Sequence, residues 1–131
     1  METFSRGTLD PQWVTGFADS AASLTYSRSG HQLALYFAIK AERPVLEELQ
    51  QFFQGAGRIY DVGASASYFR VSRRDELMFI VEHFDAYPLR SSKQQVFDLW
   101  RQMVIAKQQF RKPDRDLLDS LAGQITALSA R

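Results

Sequence analysis

The chain has 131 residues, with 16 Lys plus Arg against 15 Asp plus Glu and a formal net charge of +1. That length is one ordinary domain, read here as residues 1–131, and 45% hydrophobic residues with 10 Phe, 5 Tyr and 2 Trp supply a core and exclude a disordered chain. The absence of cysteine excludes disulfides, a thiol nucleophile and thiolate-held metal, and His31 and His83, far apart and without partners at ligand spacing, argue against zinc.

Asp10-Pro11 predicts the first helix, with Asp10 as N-cap and Pro11 where its missing N–H costs nothing. It is expected to run to about Asp19. Its apolar and small members Trp13, Val14, Gly16, Phe17 and Ser20 cover nearly all sides, the mark of a buried helix. From Ser23 the period changes to two. Ser23, Thr25 and Ser27 alternate with Leu24 and Tyr26, Ser29-Gly30 signals a turn, and 32–40 alternates again. Leu33, Leu35, Phe37 and Ile39 share one face of that second strand, leaving Gln32, Ala34, Tyr36, Ala38 and Lys40 on the other.

A helix over 44–54 follows, with Val45, Leu46, Leu49, Phe52 and Phe53 as its stripe, stopped by Gly55-Ala56-Gly57. Residues 58–62 and 68–72 read as a second hairpin. Residues 74–87 are helical through Leu77, Ile80, Val81 and Phe84, ending at Pro88. Ser91-Ser92 caps a longer helix carrying Val96, Phe97, Trp100, Val104 and Ile105; Pro113 breaks it, and a last amphipathic helix occupies 114–128. Trp13 and Trp100 sit at core periodicities. The order αββαββα, with extra C-terminal helices, predicts an α+β fold: a four-stranded antiparallel sheet with helices on one face and the other face open.

WVTGFADSAASLTYS resembles the signature helix and first strand of the LAGLIDADG homing endonucleases. PVLEELQQFFQGAGRIYDVG, SYFRVSRRDEL and HFDAYPLRSSKQQ continue the match in the family's order, over about residues 9–110, with 111–131 left as a C-terminal helix. The resemblance implies a saddle-shaped sheet and two signature helices packed side by side. One motif per chain implies a homodimer or a protein neighbour in its place, through Trp13, Gly16, Phe17 and Ser20; small residues four apart allow close backbone approach.

In active members, as the resemblance implies, an acid two positions after the residue matched by Asp19 holds a divalent metal such as Mg²⁺ for phosphodiester hydrolysis. Here that position is Ala21, and the following glycine is Ala22. A methyl group coordinates nothing. Asp19 is two residues early, and Glu42 and Asp61, the other acids near the hairpins, lack the spacing. Lys93 matches a basic residue kept near the scissile phosphate, and Ile39 stands where many relatives place a polar residue that orients water. The site reads as dismantled: no catalytic residue, no metal, and Mg²⁺ only if catalysis is retained.

Strand parity assigns Ser23, Thr25, Ser27, Gln32, Tyr36, Lys40, Arg58, Tyr60, Tyr68 and Arg70 to the open face, joined by Lys93 as a nucleic-acid contact. Arg, Lys and Gln suit base edges in the major groove, while tyrosines suit stacking on unpaired bases. A net charge of +1 permits nucleic-acid binding only if positive charge is segregated onto one face. A polar strand face is also what a merely solvated sheet presents, and Arg73-Arg74 and Arg111-Lys112 with Arg115 read as backbone contacts or plain surface. The leading expectation is a nucleic-acid-binding derivative of a homing endonuclease without cleavage, on structured RNA as an intron maturase-like or ribosome-associated protein. An active double-strand DNA endonuclease is one alternative, and a protein–protein scaffold another. The resemblance favours a mitochondrion or plastid, no stretch reaches the ~18 apolar residues of a membrane span, and the opening METFSRGTLD has no apolar core for a secretory signal.

Overall fold

The period-two segments pair into one four-stranded antiparallel sheet in the computed structural model, which describes residues 9–30, 32–110 and 112–129. The stretch before Leu9, His31 and Arg111 lie outside the described residues. Helix α1 (Pro11–Ala21) starts as its sequence requires: the Asp10 carboxylate accepts the Gln12 backbone N–H at 2.8 Å and Pro11 occupies the first turn. It continues past Asp19, because the Ala22 N–H still reaches the Ala18 carbonyl. Strands β1 (Ala22–Ser29) and β2 (Gln32–Ala41) follow, then α2 (Arg43–Phe52), β3 (Arg58–Asp61), β4 (Ser67–Val71), α3 (Arg74–Ala86), α4 (Lys93–Gln109) and α5 (Arg115–Ser129).

The strand order is β1-β2-β4-β3, so the two hairpins meet along β2 and β4. Leu24 lies opposite Phe37 and Ile39 opposite Phe69, and these side chains face the helices. Phe37 sits at the centre, edge-on to Phe53 at 6.0 Å and Phe69 at 6.4 Å. Leu46 and Leu49 of α2, Ile80 and Phe84 of α3, and Phe97, Trp100 and Met103 of α4 complete the core. The Trp100 indole N–H donates to the Thr25 carbonyl at 3.0 Å, which satisfies the one polar atom that the ring takes inside.

One buried polar pair joins α1 to α3. Thr15 Oγ1 lies 3.0 Å from His83 Nε2 and donates its proton to the Tyr87 carbonyl at 2.8 Å. A hydroxyl has one proton, so it must accept from His83, which therefore carries its hydrogen on Nε2. Burial pushes this imidazole down from its ordinary value to about 4, and it remains neutral.

Three expectations change. Helix α1 is not buried all round: Val14, Thr15 and Ala18 are inside, while Trp13 is 46% exposed and Gly16 and Ser20 face outward. Trp13 thus departs from the core position that its period indicates, whereas Trp100 keeps it. Of the two serines before α4, Ser91 Oγ accepts the Lys93 N–H and Ser92 makes no side-chain cap. Helix α4 ends at Gln109, before Pro113, and the last helix begins at Arg115, with Asp114 accepting the N–H groups of Asp116 and Leu117. Helix α5 buries Leu118, Leu121, Ala122 and Ile125, mainly against α4, and is tied to β1 through Tyr26 Oη with Thr126 at 2.7 Å and Arg28 with Asp119 at 3.0 Å.

Candidate nucleic-acid interface

In an antiparallel sheet, residues directly opposite share a face. Thr25 pairs with Tyr36, Ser23 with Ala38 and Ser27 with Ala34; Lys40 pairs with Tyr68, Tyr60 with Tyr68, and Arg58 with Arg70. With Gln32 in the same parity, all ten strand residues assigned by sequence lie on one face, turned away from the helices. Among the strand residues on this face none is acidic, while Lys40, Arg58 and Arg70 are cationic. The nearly neutral chain therefore carries a positive, acid-free sheet surface. Arg58 directly opposite Arg70 is a like-charge pair that costs stability unless an anion is present. The Arg70 guanidinium lies 3.8 Å from the Tyr36 ring centroid, a cation–π contact between β4 and β2 on the face that carries buried Ala38. Tyr60 and Tyr68 remain side by side near the outer edge, with Tyr60 48% exposed.

The end of α1 differs from this face. The Asp19 carboxylate accepts the backbone N–H of Arg90 at 2.6 Å and of Ser91 at 3.2 Å, and the Ser91 hydroxyl at 2.5 Å. Burial raises its pKa, but these bonds and the nearby Lys93 charge outweigh that and hold it below the ordinary carboxyl value. Lys93 Nζ in turn donates to the Ala18 carbonyl at 3.1 Å and the Ala22 carbonyl at 2.6 Å, so a cation sits on the negative end of α1. Burial lowers its pKa and Asp19 opposes that shift.

These residues do not fit a divalent cation. Ala21 offers a methyl group, and Asp19 is committed to the turn before α4. Asp61 accepts from Ser67 Oγ and faces Arg43 at 3.8 Å, and Glu42 stands before α2 without a capping bond. Among the described residues no three His, Asp or Glu side chains cluster at ligand distance. Ile39 faces the core opposite Ala22.

The outer side of α1 presents Trp13, Gly16, Phe17 and Ser20 at helical spacing. Trp13 and Phe17 stack with centroids 5.1 Å apart, and a Cβ added to Gly16 would meet nothing. Sequence reasoning passed over Arg28 and Lys107, single charges in apolar-periodic segments, which the fold gathers near the tip of the first hairpin.

Comparison with known proteins agrees with this architecture. An uncharacterized 50.9 kDa protein in ND4 intron 1 of Podospora anserina is 34% identical over 115 residues, covering 79% of this chain and 25% of the relative. The chain thus spans a quarter of that relative's length. The crystal structure of the homing endonuclease I-TnaI matches with a TM-score of 0.78 at 25% identity, covering 89% of this chain and 88% of that one. I-SmaMI bound to cleaved DNA shares the fold, with a TM-score of 0.77 at 22% identity over 90% of this chain and 43% of that one. No helix among the described residues is long and apolar enough to cross a membrane. Residues 14–104 match the LAGLIDADG endonuclease family, and the chain belongs to that family.

Proposed function

We propose that this chain binds nucleic acid across its open sheet face and has no strand-cleaving activity of its own. The observation that carries the binding half is the acid-free face built from Lys40, Arg58 and Arg70 with Gln32, Tyr36, Tyr60 and Tyr68. Two-stranded ribbons of this kind enter the major groove of duplex DNA, where Arg, Lys and Gln pair with base edges. The fold shared with a DNA-bound endonuclease supports a duplex DNA ligand. Structured RNA, in an intron maturase-like or ribosome-associated role, is the second reading. It is favoured by the adjacent Tyr60 and Tyr68 rings, which can stack on unpaired bases.

The absence of cleavage rests on Ala21 and on the engagement of Asp19 and Lys93 with each other's segments. The exposed Trp13–Phe17 stack and the open Gly16 support pairing through α1, with a second copy or a protein neighbour. The ND4-intron relative supports an organelle as the place of action.

Crosslinking in native cells, followed by sequencing of the attached nucleic acid, tests the reading. One recurrent duplex site or one structured RNA supports it and separates the two ligands; recovery of neither overturns it. The recovered target then serves in a cleavage assay with Mg²⁺. The native chain is expected to bind it uncut, and cutting by the native chain overturns the loss of activity.

A further inference from the structure

Gln32, at one end of the open face, also borders a cavity of about 770 Å³ between the first hairpin, α4 and the start of α5. Its lining holds the cationic residues Arg28, Arg74, Lys107, Lys112 and Arg115, and among the described residues its one carboxylate is Asp119. Asp119 is already paired with Arg28 at 3.0 Å. Lys107 Nζ donates to the Leu33 carbonyl of β2, and Gln108 bonds the Arg74 carbonyl, which fixes the start of α3 against the end of α4. Burial, and then the Arg74 charge, pushes the Lys107 ammonium below its ordinary pKa.

These cations come from β1, α3, α4, the connection after α4, and α5. A solvated helix face draws its charges from a single element; here distant segments converge on one concavity, and the Arg74 charge bears on Lys107. Among the described residues the cavity lining contains no aromatic ring, so these residues offer charge and hydrogen-bond donors rather than a surface for stacking bases. Such a donor set recognises phosphate, and phosphate contacts position a protein without reading sequence.

We infer that this cavity is a phosphodiester clamp, taking backbone phosphates of the nucleic acid where it leaves the end of the sheet. The inference rests on the proposed function and adds a second, sequence-independent contact surface to it.

The test compares the full chain with Arg74→Gln/Lys112→Gln. Both positions are exposed, and removing a positive charge from the first turn of α3 relieves an unfavourable helix-dipole contact, so the fold is retained. Fluorescence anisotropy with a mixed-sequence DNA duplex and with a stem-loop RNA is followed across a KCl series. The clamp predicts a uniform affinity loss of about tenfold and a log–log salt slope shallower by about 1 to 2 units. Native affinity and slope in the double variant overturn it. Should the native chain bind neither probe, the proposed function fails and the anion site is judged separately by thermal stabilisation with inorganic tripolyphosphate. Stabilisation that disappears in the double variant supports a phosphate site, and no stabilisation overturns it.

Discussion

Asp19 and Lys93 show how one position shapes the chemistry available around it. The carboxylate caps the turn that leads into α4, and the ammonium closes the carbonyl end of α1, so both charges are held by backbone groups. His83 is a second residue whose charge state the fold dictates. Its pKa in the folded chain, about 4, is below the ordinary 6.5, so the unfolded chain binds the proton more readily. This contribution to stability is complete above pH 6.5 and falls as pH drops from there towards 4. The full acid-side loss is about 3 kcal/mol. Urea melts between pH 7 and pH 4 are expected to show this decline, and His83→Gln is expected to flatten it. Gly57 is constrained by space. At φ +74° an added Cβ would stand 2.6 Å from the Arg70 carbonyl oxygen and 2.8 Å from Val71 Cγ2. Gly57→Ala is expected to cost at least about 2 kcal/mol in chemical denaturation, because positive φ and a backbone clash add.

At the scale of elements, α1 and α5 are the instructive pair. In α1, Val14, Thr15 and Ala18 anchor one side, while Trp13, exposed among the described residues, stacks on the half-buried Phe17 on the other. Apolar periodicity could not tell a helix buried all round from one with an unpartnered apolar side, since both require the same residues. Trp13→Glu is therefore expected to leave the melting temperature of the isolated chain within a few degrees and to abolish the proposed pairing through α1, with analytical ultracentrifugation as the measurement. Helix α5 lies beyond residue 104, where the family match stops, yet it is packed in place by Leu118, Leu121, Ala122 and Ile125. Leu121→Ala is expected to destabilise the fold by about 2–4 kcal/mol through lost burial and the cavity left behind. A reversible denaturant titration measures it. The strands were legible in sequence because alternation in β1 and β2 matches the two-sided pleat, residue by residue, over 23–29 and 32–40. Helix ends were less so: α4 stops before Pro113, and α1 runs past Asp19, through hydrogen bonds rather than residue type.

Across the whole molecule, charge placement matters more than charge total. With a net charge of +1, the chain keeps its acids off the open strand face and concentrates cations there and in the hairpin-end cavity. The chain's own pattern determined the αββαββα order, the face to which each strand residue belongs, and that residue 21 is an alanine, which carries no carboxylate. These are local properties, set by a period of two or 3.6 residues and by identity at one position. Tertiary structure alone decided that Asp19 would close on the turn before α4, that Lys93 would sit on the α1 carbonyls, and that Arg28, Arg74 and Lys107 would converge. Those contacts join residues dozens of positions apart, and they depend on how helices dock on the sheet, which no local period encodes.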